Sequence, residues 1–155
     1  AKNLSAPTRS HPHTPIRVLQ LIWSLDLGGA EQVVIDLVTK CDRRRFEPIV
    51  CCLNEKGRYV SLVEKAGIKV IALNKSPKFD PFLVPKLIRL IKKEKIRVIL
   101  SEPQLNPKIP QILAEETGAK RVILSPLPGI LPGTKDYIDF MRYNVETLVS
   151  ALEGS

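Results

Sequence analysis

The chain has 155 residues, of which 44% are hydrophobic, and a formal net charge of +8. That suffices for one domain with its own core, is cramped for two, and excludes disorder throughout. No apolar run approaches the roughly 20 residues of a membrane span, and the polar, Pro-rich start, Ala1 to Pro15, lacks the apolar stretch of a signal peptide.

Residues 1–14 read as a flexible tail carrying His11-Pro12-His13. These imidazoles could ligate a metal, but no carboxylate stands nearby, and a plain tail is the simpler reading. Arg17 to Ser24 (RVLQLIWS) reads as a buried strand, and Glu31 to Cys41 as a helix. Glu47 to Leu53 is a second strand. Arg58 to Ala66 is a short helix stopped by Gly67. Lys69 to Leu73 is a third strand. Asp80 and Pro81 then supply an N-cap and a first helical residue for a helix over 80–96. Its apolar stripe is Leu83, Val84, Leu87, Ile88, Leu90 and Ile91. Arg97 to Leu100 is a fourth strand, a helix from Asn106-Pro107 to Thr117 ends at Gly118, and Arg121 to Leu124 is a fifth strand. A Pro/Gly-rich loop, Ser125 to Thr134, leads to a last helix from about Lys135 to Leu152.

Strands alternating with helices predict an α/β fold with a parallel sheet covered on both faces. For residues 15–152 the expectation is a single Rossmann-like three-layer domain, with a five-stranded parallel sheet in the order 3-2-1-4-5. Such a sheet has its switch point between strands one and four, and ligands sit over the carboxyl ends there. That places Ser24 to Glu31 and Ser101 to Gln104 at one crevice.

The candidate binding residues are Gly28, Gly29, Ala30, Glu31 and Glu102. Paired glycines at the start of a helix let a phosphate approach the free N–H groups. The spacing is neither that of a dinucleotide fingerprint nor that of a P-loop, and a tight turn needing positive φ explains it equally well. Glu31 and Glu102 could meet at the crevice for acid/base work; a first-turn glutamate and an exposed loop glutamate are the plainer reading. No Ser/His/Asp set is available, because both histidines lie in the tail. Cys41, Cys51 and Cys52 lack CxxC spacing and read as buried small hydrophobes in a reducing, cytoplasmic compartment. Lys86, Arg89, Lys92, Lys93, Lys95 and Arg97 form a basic helix face, joined by Arg43 to Arg45. Without interleaved aromatics this reads as a solvated face rather than a nucleic-acid surface.

The segment Pro15 to Leu100, through RVLQLIWSLDLGGAEQVVIDLV, FEPIVCCLNEKG, VEKAGIKVIALNK and LIRLIKKEKIRVIL, resembles the N-terminal domain of GT-B-fold retaining glycosyltransferases of the glycogen-synthase-like superfamily. The resemblance implies that the loop with Gly28 and Gly29 faces a cleft near a sugar donor's phosphates. The second domain that holds most of the nucleotide, with its paired glutamates, has no counterpart in this sequence. Residues 101–152, through SEPQLNPKIPQILAEETGAKRVILSPLPG and PGTKDYIDFMRYNVETLVSAL, are similar instead to the C-terminal end of zinc/manganese ABC-transporter substrate-binding proteins. There an acidic ligand often follows the last strand; here that position is Ser125, so no metal site is expected. The charge changes at the same point: residues 1–100 hold 19 Lys and Arg against 9 Asp and Glu, and the remainder holds 5 against 7.

Together these features predict an engineered or recombined chimera, with fragments 15–100 and 101–152 sharing one domain, and no catalytic activity or cofactor. The alternative is a remnant glycosyltransferase module that weakly binds phosphate or a nucleotide sugar. A third reading is a natural fragment that needs a partner chain. No membrane, nucleic-acid or obligatory protein partner is expected, although an edge strand could pair with a second copy.

Overall fold

A computed structural model describes residues 14–75, 80–102, 106–124 and 128–153. The tail histidines, Gln104 and Ser125 lie outside these residues. The strands are β1 (Ile16–Ile22), β2 (Phe46–Cys52), β3 (Lys69–Ala72), β4 (Val98–Ser101) and β5 (Lys120–Ile123). The helices are α1 (Gly29–Lys40), α2 (Val60–Lys65), α3 (Leu83–Lys93), α4 (Lys108–Thr117) and α5 (Tyr137–Glu153). All four strand pairings are parallel, in the order β3-β2-β1-β4-β5, as expected.

The β-branched and leucine-rich strands bury both faces, and neighbouring residues serve different layers. On one face Leu19, Leu21, Ile49, Cys51 and Ile99 meet Leu83, Leu87 and Ile91 of α3 and Leu113 of α4. On the other, Ile22, Val50, Cys52 and Val70 meet Val34, Ile35 and Val38 of α1 and Val63 of α2. Val18, Val98, Leu100, Val122 and Leu124 form a third cluster, against which Leu148 of α5 packs. Each fully buried aliphatic side chain contributes about 1.5–3 kcal/mol. Cys51 and Cys52 point to opposite faces, so the strand pleat itself keeps the two thiols apart. Burial pushes Cys51 up to about 12 and Cys52 up to about 11. Both are packing residues rather than nucleophiles.

Most element boundaries shift by one to three residues from expectation, among them the start of α1, at Gly29 rather than Glu31. Asp80 Oδ1 accepts the Phe82 N–H at 3.0 Å in a turn that precedes α3, so the helix begins at Leu83 rather than at Asp80. Pro85 then falls in the first turn, where its missing N–H costs no helical bond. Strand β1 stops at Ile22 rather than Ser24: its register with β4 ends at Gln20, and its ladder with β2 ends at Ile22, opposite Cys52. Gly118 closes α4 at φ 73°, the left-handed C-terminal stop read from the sequence.

The basic residues Lys86, Arg89, Lys92, Lys93, Lys95 and Arg97 are all exposed, opposite the buried stripe of α3. At the amino ends of the strands Glu94 accepts a hydrogen bond from Lys69 Nζ at 2.7 Å, and Arg17 Nη1 donates to the Glu94 carbonyl at 2.9 Å. Lys69 holds the Glu94 carboxyl below the usual glutamate range. This network ties β1 and β3 to the end of α3, at the amino end of the sheet, opposite the crevice.

Candidate functional site

The crevice lies over the carboxyl ends of β1 and β4, where crossovers leave in opposite directions. The β1–α1 loop is held by the β2–α2 loop. Leu25 N–H donates to the Lys56 carbonyl at 3.1 Å, and Tyr59 N–H donates to the Leu25 carbonyl at 2.9 Å. Asp26 accepts from Arg58 N–H at 3.1 Å and from Ser24 Oγ at 2.9 Å. Gly57 permits this contact: its φ is +81°, and a Cβ there would lie 2.5 Å from the Leu25 carbonyl carbon.

Gly28, Gly29, Ala30 and Glu31 form the amino end of α1, as the loop reading expects. Gly28 is extended (φ 175°, ψ 165°), so the explanation by a positive-φ turn does not hold. The Glu31 carboxylate folds back over Gly28 and occupies the space a Cβ would take. A glutamate at the third helical position is favoured there by the helix dipole. It also sets negative charge against the N–H groups that a phosphate would need.

Ala30 and Glu102 line the same enclosed space, together with Gln20, Val33, Val34, Leu37 and Leu124. Its volume of about 10 Å³ has room for about one water. Glu102 is half-buried rather than a freely exposed loop residue. Its Oε1 is enclosed without a hydrogen-bond partner, as is Oε1 of the 3%-exposed Gln20. Burial, reinforced by the negative charge of Glu31, raises the Glu102 carboxyl to about 7. Gln20 is the residue that sequence reasoning missed. The signal was there: it is the one amide inside an apolar strand, and a buried amide needs a partner.

The raised carboxyl has a consequence for stability. Between the unfolded value, 4.5, and the folded value, about 7, the native chain binds more protons than the unfolded one. Stability therefore falls as pH rises across that window and is flat above it. Solvent screening at a half-buried group holds the loss to about 1–2 kcal/mol. Urea melts at pH 4.5 and pH 8 should show it, and Glu102→Gln should remove the difference. An unchanged slope in that variant would mean another group carries the titration.

Residues 56–151 match the family model described as zinc-uptake complex component A, periplasmic (ZnuA). The chain belongs to this zinc-uptake family. Among curated relatives, the zinc-binding protein AdcA of Streptococcus pyogenes serotype M6 is 34% identical over 89 residues. That match covers 53% of this chain and 17% of AdcA, so the chain spans less than a fifth of that relative's length. The serotype M3 protein is 36% identical over 69 residues, covering 42% of this chain and 13% of its own. Among solved structures, a glycosyltransferase from Rickettsia africae superposes with a TM-score of 0.56 at 18% identity, covering 70% of this chain and 29% of its own. Anabaena Alr3699/HepE, solved in complex with UDP and glucose, superposes with a TM-score of 0.54 at 21% identity and the same coverage. At such identities these two share the fold alone.

The zinc-family resemblance read from the sequence is therefore present, and the glycosyltransferase one appears as a likeness of fold. The ZnuA match begins at Lys56, so it is not confined to residues 101–152 and runs across the expected join at position 100. The description of the family as periplasmic overturns the expectation of a cytoplasmic location. That expectation rested on three unpaired cysteines. Two of them are buried on opposite faces of one strand, a packing that keeps thiols apart in any compartment. Among the described residues no three His, Cys, Asp or Glu side chains converge as metal ligands. A four-coordinate zinc site of the structural kind is therefore not furnished by these residues alone.

Proposed function

We propose that this ZnuA-family chain is a recombined, non-catalytic α/β domain whose crevice offers carboxylates to a divalent cation. The observation that carries this reading is Oε1 of Glu102, enclosed without a hydrogen-bond partner at the carboxyl ends of the sheet, with the Glu31 charge near enough to disfavour its ionisation. An unpartnered buried carboxyl is costly to ionise unless a cation joins it. The relatives' printed names speak of zinc binding, which makes zinc the first ion to try. Two carboxylates form a partial and weak site. The remnant nucleotide-sugar module is disfavoured, because Glu31 covers Gly28 and repels a diphosphate. The recombined origin rests on two resemblances that overlap in one chain, to the ZnuA family over residues 56–151 and, in fold, to glycosyltransferases.

Calorimetric titration with zinc at pH 7 should show saturable binding with proton release, since the ion displaces the Glu102 proton. Glu102→Gln should weaken binding about tenfold or more. A uridine diphosphate sugar should give no heat. Saturable sugar-nucleotide binding that Gly28→Val abolishes would overturn the proposal, as would zinc binding that ignores Glu102→Gln.

A further inference from the structure

Helix α5 packs through Phe140, Asn144 and Leu148, yet its neighbouring face is apolar and open. Tyr137, Ile138, Met141, Val145 and Val149 recur at helical spacing, with exposures of 67, 66, 41, 54 and 44%. The stripe runs on into a 520 Å³ apolar groove between α1 and α5, which Val145 and Val149 line with Leu37, Cys41 and Phe46. A contiguous apolar strip on the order of 500 Å² is at the upper end of what a monomer leaves open.

We propose that this face is the interface of a two-fold dimer in which α5 packs antiparallel against α5 of a second copy. Charge selects the occupant and the direction. Arg142 and Glu146 border the stripe on its solvent side, one helical turn apart. With a two-fold axis at the level of Tyr143 and Asn144, Ile138 lies opposite Val149 of the second copy. Arg142 then lies opposite Glu146, and the symmetry repeats that ion pair. A parallel two-fold pairing would put the Arg142 and Glu146 flanks of the two copies on opposite sides of the seam, where they could not pair. A closed two-fold arrangement also uses the whole stripe on both copies and leaves no growing end. Among the described residues Arg142 reaches Asp139, at 3.6 Å on an exposed surface, so little is lost by re-pairing it.

Pairing through an edge strand is the weaker route. The edges β3 and β5 have four residues each, and they carry Lys69, and Lys120 with Arg121. Short, Lys-bearing edges resist pairing. The stripe is smaller than the roughly 800 Å² per partner of a standard interface, so the dimer should dissociate in the micromolar range.

Sedimentation velocity from low micromolar to near-millimolar protein tests this. A concentration-dependent monomer–dimer equilibrium is expected. Val145→Glu, at an exposed position that does not threaten folding, should weaken it about tenfold or more. Arg142→Glu should weaken it too, and the exchange R142E/E146R should restore it. A monomer at every concentration would overturn the proposal. So would a dimer that survives Val145→Glu, which would point to an edge strand, or a charge exchange that fails to rescue.

Discussion

Replacing Gly57 by alanine should cost the domain about 3–5 kcal/mol. Two effects add at one atom. The residue sits at φ +81°, where an L side chain is strained by about 1–3 kcal/mol. The new Cβ would also meet the carbonyl carbon, oxygen and nitrogen of Leu25 at 2.5, 2.6 and 2.8 Å. These are backbone atoms and cannot swing away as a side chain would, so the loops must separate. Separation would break the Leu25 bonds to Lys56 and Tyr59, which position the crevice. Gly118→Ala is the control: its φ is +73°, but nothing lies within 4 Å of its Cβ position. It should cost about 1 kcal/mol from backbone strain alone. The check is a pair of urea unfolding curves read for midpoint at constant slope. Equal losses in the two variants would show that the contact with Leu25 does not constrain the fold.

Ile99→Ala should cost about 2–5 kcal/mol, a large part of the stability of a domain this size. Ile99 is fully buried on β4, in register with Leu19 and Arg121. It belongs to the cluster beneath α3 and α4 that includes Leu113 and Ala119, and so it joins residues 15–100 to residues 101–152. The melting temperature should fall by about 10 °C. Leu113→Ala should cost a similar amount, and the double variant should depart from additivity by about 0.5 kcal/mol or more, because the two sites share one cavity. Strict additivity with two separate transitions would mean that the segments do not share a core.

The element order, the parallel sheet and its 3-2-1-4-5 order were legible from local pattern. Short β-branched runs such as RVIL and helix stops such as Gly118 carry that information without distant contacts. The alternation of Cys51 and Cys52 across a strand was legible for the same reason. The start of α3 was less so, because Asp80 can cap a helix or close a turn, and Pro85 decides between them only once the helix register is known. The meeting of Ala30 with Glu102 at one cavity follows from the switch-point rule, which is why a sequence reading could place them together.

Local pattern along the chain was enough for the layered α/β architecture and for the crevice between β1 and β4. Tertiary structure alone decided the chemistry within that crevice. Glu31 turns back over Gly28, Gln20 faces inward, and Glu102 Oε1 is enclosed without a partner, so negative charge stands where the loop reads as a phosphate cradle. Tertiary structure also decided that Val145 and Val149 border an open groove, although their helical spacing suits a core. The reason is physical. Periodicity is set by neighbours along the chain. Burial, charge environment and unmet hydrogen bonds depend on groups far apart in sequence, and those exist only once the sheet has brought them together.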